Sequence, residues 1–382
     1  MTDLFDVVVI GRGMVGAAAA RHLAEAGHAV VVVGPDEPED RRTSEGPFCS
    51  HPDEGRITRI AGRTSVWSEL AARSIGRYQD IAARSGVEFH QPRGLVASLP
   101  TVPQWLENSE HAGGSARPVD PDWVVGTTGI AVSDRHPVLY EGPPAGLVNP
   151  RRLVAAQTRL CEMADATVVR EAVVALRPSG RGVEVETSTG ASIAASRALV
   201  STGAFGAELL PIELKLSRMP RTTVTAEIVD DDRVPSLIVE DPPDARLAGI
   251  YWVPPVRYAD GRVALKIGGD LRETNPLESS ELPAWFRGDG DPEEVEALRE
   301  CVRALLPGAR VQSWAHKPCV VTNTLSGHPY IGWVDDRLAV ALGGNGSAAK
   351  SSDEIGRLAA TLFDAQGWTD PIPLDTFAPA SV

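Results

Sequence analysis

The chain of 382 residues is longer than one average domain and suits two, or one carrying a large insertion. Hydrophobic residues at 43% and charged residues at 23% are ordinary globular usage, which excludes wholesale disorder. A net charge of −14, from 51 acids against 37 bases, argues against nucleic acid or an anionic membrane surface, because such partners require a basic footprint.

No apolar run approaches the roughly 18 residues a membrane span requires. Residues 1–12 pass straight into a strand-like run with no basic region or cleavage site, so a cytoplasmic protein is expected. Cys49, Cys161, Cys301 and Cys319 are widely spaced with no CxxC, so neither a metal site nor a disulfide framework is expected. Lysine occurs only at Lys215, Lys266, Lys317 and Lys350. Lysine titrates where arginine does not, so each is a candidate for chemistry.

In chain order, Val7-Val8-Val9-Ile10 reads as a strand buried on both faces, followed by Gly11-Arg12-Gly13-Met14-Val15-Gly16 and a helix over 17–26. Residues 30–33 form a second buried strand. This is a βαβ unit with GxGxxG at its first turn: Gly11 for the tight turn, Gly13 for approach of a pyrophosphate, Gly16 for close packing. The helix N-terminus, with Met14 and Val15, offers free N–H groups to phosphate. The acid that usually follows the second strand to hold a ribose is replaced by Gly34, leaving Asp36 to reach back, or backbone and water to serve.

Helix is then expected over 65–85, and strands around a Gly94 turn over 87–99. Residues 100–144, rich in Pro and Gly, read as poorly periodic. A helix over 151–165 precedes short strands over 166–201, Val173 among them. Residues 199–204 return to the nucleotide sheet. Strands over 222–228 and 262–268, with a helix over 292–306, come next. Asp230-Asp231-Asp232 between them reads as a solvated turn. Near the end, a strand leads into Gly343-Gly344-Asn345-Gly346, a second glycine-rich turn before a helix over 350–363.

The βαβ unit, Ser50-His51-Pro52-Asp53-Glu54-Gly55-Arg56-Ile57-Thr58-Arg59, Ser201-Thr202-Gly203-Ala204-Phe205 and Pro318-Cys319-Val320-Val321-Thr322-Asn323-Thr324 occur in this order. Together they resemble the FAD-dependent amine oxidases of the D-amino-acid oxidase superfamily, the monomeric sarcosine oxidase and N-methyltryptophan oxidase group above all. The resemblance implies an α/β fold, α+β overall: a Rossmann-like FAD-binding domain (1–85, 146–215, 320–382) with an inserted antiparallel β-sheet substrate domain (86–145, 216–319). It implies FAD held by Gly11, Gly13, Met14, Val15, Gly16, Asp36, Ser50, His51, Arg56, Val173, Gly203, Gly343, Gly344, Asn345, Gly346 and Lys350.

It further implies a thioether from Cys319 to the flavin, helped by positive charge from His316 or Lys317. Read from the residues alone, Cys319 is a small buried hydrophobe. Lys266, by resemblance, lies beside the flavin and stabilises superoxide as dioxygen is reduced; alone, it reads as an edge or snorkelling residue. Arg56 lies near the flavin ring, and Arg59 grips a substrate carboxylate with its planar fork. The bland alternative for both is surface pairing with Asp53 and Glu54.

Three positions depart from the group. Lys350 is displaced by about one residue from its carboxylate-binding lysine, Asp270 stands where it has histidine, and Val321 where it has tyrosine. An added acid suits a substrate carrying an extra amine, alcohol or sugar-like group. Tyr251 and Trp252 are candidate pocket walls. The implied reaction moves a hydride equivalent from the C–H beside a neutral amine to FAD, gives an imine, and passes the electrons to dioxygen with release of hydrogen peroxide. A small-molecule amine, dioxygen and a monomeric state are expected. A flavin dehydrogenase, a nicotinamide enzyme and a non-catalytic FAD-binding subunit are the alternatives.

Overall fold

The computed structural model describes residues 4–228 and 233–382, so the acidic triplet at 230–232 lies outside the described residues. The opening unit forms as its pattern requires. Strands Phe5–Ile10 and Val30–Val33 pair in parallel, and their valines fill both sheet faces. Helix Met14–Glu25 buries Ala17, Ala18, Ala19 and Ala20, small residues that let it lie close to the sheet and to helix Ala348–Thr361.

Ser192–Val200 joins Phe5–Ile10 in parallel, with Leu338–Leu342 parallel beyond it and Thr167–Val169 beside Val30–Val33. Antiparallel strands Val173–Ser179, Gly182–Thr187 and Tyr330–Trp333 flank this parallel core. Buried charge locks its helices. Asp353, wholly enclosed, accepts from Arg21 at 2.7 Å and Arg77 at 2.6 Å, tying Ala348–Thr361 to helices Met14–Glu25 and Ser65–Ser85.

The second sheet has eight strands in the order Ser313–Thr324, Leu216–Glu227, Val263–Leu271, Leu247–Arg257, Ser236–Glu240, Leu95–Ser98, Val138–Glu141 and Arg117–Val119. Helix Pro292–Leu305 covers one face with Val295, Leu298, Val302 and Leu305. The opposite face looks across a cavity to the first sheet. A small third sheet joins Arg56–Thr58, Gly146–Val148 and His90–Gln91.

Residues 100–144 depart from expectation. They hold helices Val102–His111 and Pro121–Thr128 and two strands of the second sheet. The prolines that looked like breakers sit in the first turns of both helices, and Gly129 caps the second in the left-handed conformation. Proline there gives up an N–H that has no helical partner anyway. Among the described residues, no helix is long and apolar enough to cross a membrane. None of them forms a cluster suited to a metal ion.

Candidate active site

A cavity of about 710 Å³ runs between the two large sheets, toward the upper end of the roughly 300–1,000 Å³ typical of ligand sites. Gly11, Gly13, Met14 and Val15 line one end. A Cβ at Gly16 would strike the Gly11 carbonyl, and one at Gly11 would strike Ser201, whereas a Cβ at Gly13 would meet no protein atom. Packing therefore demands the outer glycines, and Gly13 leaves open space where a phosphate can approach.

Both helices that point at the cavity, starting after Gly13 and Ser347, lack side-chain caps, leaving their first N–H groups for an anion. Gly343, Gly344, Asn345 and Gly346 form the second turn, clipped by Thr324 N–H donating to Asn345 Oδ1 at 3.0 Å. Val173, Ser50, His51 and Gly203 also line the wall. Burial pushes the His51 imidazole down to about 4, so it is neutral at physiological pH.

Asp36 does not line the cavity. Its carboxylate pairs with Arg12 and with Arg170 at 2.9 Å. The Arg12 backbone passes so close to Gly34 that a Cβ there would collide with it. A side chain at position 34 is disfavoured for this reason, and Arg12 also donates to the Gly34 carbonyl.

The cavity-facing side of the second sheet follows from strand alternation. Tyr251, Gly249, Asp270, Arg221, Ile238, Glu240, Cys319 and Val321 line the cavity. Trp252 does not. It points the other way, is fully buried, and donates its indole N–H to Pro235 O at 3.0 Å. The same alternation places Lys317 on the Cys319 side of its strand and leaves His316 exposed on the other, so His316 supplies no charge to the thiol. Burial, with Arg56 nearby, brings the Lys317 ammonium down to about 8.

Arg56 and Arg59 lie on and just after a short strand, Arg56–Thr58. Arg56 begins a strand and donates to buried Asp53 and to Ser50 O at 2.8 Å. Arg59 follows the strand, buried, with its guanidinium 4.3 Å over the Trp105 ring. Both line the cavity. Glu141 fixes this stretch by accepting from Ile60 N–H at 2.8 Å and Ala61 N–H at 3.0 Å.

Lys350 reaches the wall despite its shift in sequence. Its ammonium is buried, 5.5 Å over Trp67, and donates to Ser347 O at 3.1 Å. Burial lowers its pKa well below the ordinary lysine range, and Arg59 and Arg63 add repulsion. Burial likewise lowers Arg59 to about 10. Three basic side chains, Arg59, Arg63 and Lys350, thus gather at one end, Arg63 being the one that sequence reasoning missed. Beside them the Trp105 indole N–H is enclosed without a hydrogen-bond partner. An anion is the natural ligand for this end.

Lys266 is not on the cavity wall. It is 1% exposed and donates to Asp53 at 2.7 Å and to Gly55 O, because that buried carboxylate attracts it away from the open space. Burial drives its pKa well down, helped by the neighbouring positive charges of Arg56 and Lys317. Asp53 was legible only as a surface partner. In the structure it is fully buried beneath Arg56, with Lys266 and Lys317 around it.

Cys319 lies on the wall, and Cys49 nearby shares it, 3.7 Å from His51 Nε2. Burial raises the Cys49 thiol to about 11, so it stays protonated. Cys161 and Cys301 are core residues. Phe48, Phe205 and Phe286 add an aromatic wall, Phe48 stacked on Phe286 at 5.3 Å between ring centres.

Glycine-rich turns, two uncapped helix starts, an aromatic wall and a partnerless Thr202 hydroxyl fit an extended dinucleotide and define a dinucleotide-dependent enzyme. The chain belongs to the family of FAD-dependent oxidoreductases (DAO), which it matches over residues 6–362. It is 25% identical to monomeric sarcosine oxidase of Bacillus sp. (strain NS-129) over 391 residues, covering 95% of this chain and 93% of that one. It is 28% identical over 316 residues to the tRNA 5-methylaminomethyl-2-thiouridine biosynthesis bifunctional protein MnmC of Marinobacter nauticus. That match covers 80% of this chain, which spans only 45% of MnmC. In fold it resembles the open form of NikD, an unusual amino acid oxidase essential for nikkomycin biosynthesis, with a TM-score of 0.80 at 20% identity over 100% of this chain and 98% of that one.

Proposed function

We propose that the protein oxidises an amine that carries a carboxylate, taking the hydride from the carbon beside a primary or secondary amine and giving an imine. The observation that carries this reading is the convergence of Arg59, Arg63, Lys350 and the free Trp105 N–H at one end of a cavity whose other end suits FAD. When bound, FAD would supply the two-electron acceptor and the route for those electrons to dioxygen, with hydrogen peroxide as product.

The chain's residues do the rest. Arg59 and Lys350 hold the carboxylate, which orients the α C–H. Tyr251 and Trp105 wall the cavity and exclude water. No side chain is required as a base if the amine binds neutral. Arg56 presents positive charge at the wall where dioxygen is reduced, with Lys266 behind it across Asp53. Cys319, on the cavity wall, would hold the flavin through a thioether, and a monomer in the cytoplasm accords with this reading.

A second reading, a flavin dehydrogenase using another acceptor, is favoured by one observation: the Lys266 ammonium is spent on Asp53 and does not reach the cavity. Acid precipitation tests the attachment, because covalent flavin stays in the pellet and free flavin goes to the supernatant. Arg59→Lys tests the carboxylate grip. It is expected to raise KM for a carboxylate-bearing amine by about tenfold or more, through loss of a charge-assisted pair. An unchanged KM contradicts the assignment.

A further inference from the structure

One register line crosses the second sheet through Cys319, Arg221, Asp270, Gly249 and Glu240. Cys319 pairs with Arg221, Asp270 with Gly249, and Gly249 with Glu240. Arg221 reaches Asp270 at 2.6 Å. Residues paired across strands point to the same face, and all five line the cavity. Gly249 contributes no side chain. A Cβ there would make only an ordinary contact with Val239 O, so the space above it is open.

The line therefore contains a notch, with Asp270 on one side and Glu240 on the other. Two strand steps set these acids about 10 Å apart at their Cα atoms. Charge in the notch is unbalanced. Arg221 answers Asp270, whereas the Glu240 carboxylate has no ion-pair or hydrogen-bond partner among the described residues. The notch carries one net negative charge, and it opens into a cavity whose other end gathers cations.

We propose that Glu240 and Asp270, either side of Gly249, form a specificity subsite for a second cationic group, so that the substrate is a carboxylate-bearing amine with a further basic nitrogen. This rests on the carboxylate-anchor reading above. Position supports it. Ile238, two residues before Glu240 on the same strand face, packs against the apolar cluster that holds Trp105, and the Trp105 ring lies under Arg59. The acid is thus about 7 Å along the strand from the wall of the anion end. A zwitterionic ligand with separated charges spans such an arrangement. A ligand with an apolar tail leaves Glu240 uncompensated, and one with hydroxyls leaves the net charge in place.

The test uses the FAD-loaded protein without oxygen, so that a shift of the flavin band by binding is read apart from its bleaching by turnover. A length series of ω-amino carboxylates is titrated against alkanoates of matching length, with perturbation of flavin absorbance as the readout. The proposal predicts that the best ω-amino carboxylate binds roughly tenfold tighter than its alkanoate, as expected for one part-solvated ion pair. Glu240→Gln collapses that ratio toward one, and the ratio falls with added salt. Alkanoates that bind as well as their amino counterparts overturn the subsite and leave the carboxylate anchor standing. If hydroxy carboxylates match the amino series, the notch reads hydroxyls and the cation assignment fails. If no carboxylate perturbs the flavin, the anchor itself is wrong and the subsite falls with it.

Discussion

Replacing Asp53 by Asn strips from Lys266, which is 1% exposed, its one ion-pair partner among the described residues. At 2.7 Å and an effective dielectric of about 20, that pair attracts by about 6 kcal/mol before desolvation is counted. Asp53 also binds Arg56 and lies 3.9 Å from Lys317, so its loss leaves a cluster of like charges under the cavity wall. Relief of the carboxylate's own desolvation offsets part of this, and a net destabilisation of about 3–5 kcal/mol is expected. Lys266→Met costs less, because Arg56 and Lys317 still answer Asp53. The double variant should lose less than the two singles together, with a coupling of about 2 kcal/mol. Urea unfolding of the FAD-loaded protein at a fixed cofactor excess measures all four corners, provided the slope with urea is unchanged. Additivity within about 0.5 kcal/mol refutes the buried-cluster account.

Burial pushes the Glu294 carboxyl from 4.5 up to about 7, while it accepts from Thr222 N–H at 2.7 Å. The folded protein then holds a proton that the unfolded chain has lost, so stability falls as pH rises from about 4.5 to 7 and levels off above, by about 3 kcal/mol. Glu294→Gln should abolish that slope in urea unfolding measured across pH. Gly13→Ala should leave the fold unchanged but weaken FAD binding, because the new methyl meets only the space reserved for phosphate. Gly16→Ala should cost several kcal/mol of stability, since its methyl strikes the Gly11 carbonyl; equal unfolding midpoints for the two variants would falsify this division. Cys319→Ser should move the flavin from the acid pellet to the supernatant. Arg56→Gln should slow reoxidation by dioxygen by about tenfold or more, as loss of the cation at the cavity wall would, with little change in flavin reduction by substrate.

The parts of this fold that sequence made legible are those where one local rule dominates. Val30–Val33 and Ser65–Ser85 have the bounds expected of them, because continuous β-branched runs and long helical periodicity leave little choice. Residues 100–144 were opaque because proline in a helix's first turn and proline in a loop look alike. Tyr251 and Asp270, named from their strand and from the resemblance, both line the cavity, whereas Trp252, named with Tyr251, faces the other way because neighbours on a strand alternate. Sequence says least where the decisive partner is distant. Lys266 was drawn away by Asp53, 213 positions earlier, and no pattern within its own strand records that attraction. Arg63 and Glu240 escaped because each is an ordinary surface residue in sequence. Only the meeting of strands and the loop after Arg56–Thr58 gives them a place. Gly34 carried a usable signal: a glycine where an acid is usual meant that something else occupied the space, and Arg12 does.

The central claim is tested most directly by mixing the FAD-loaded protein, without oxygen, with a panel of α-amino acids, their N-methyl derivatives and basic amino acids. Absorbance near 450 nm is expected to fall with carboxylate-bearing amines and to hold with the matching amines that lack a carboxylate. Admitting oxygen should restore the colour and release one hydrogen peroxide per flavin. Bleaching by amines regardless of carboxylate would contradict the cation end. Colour restored only by an artificial acceptor would make the protein a dehydrogenase.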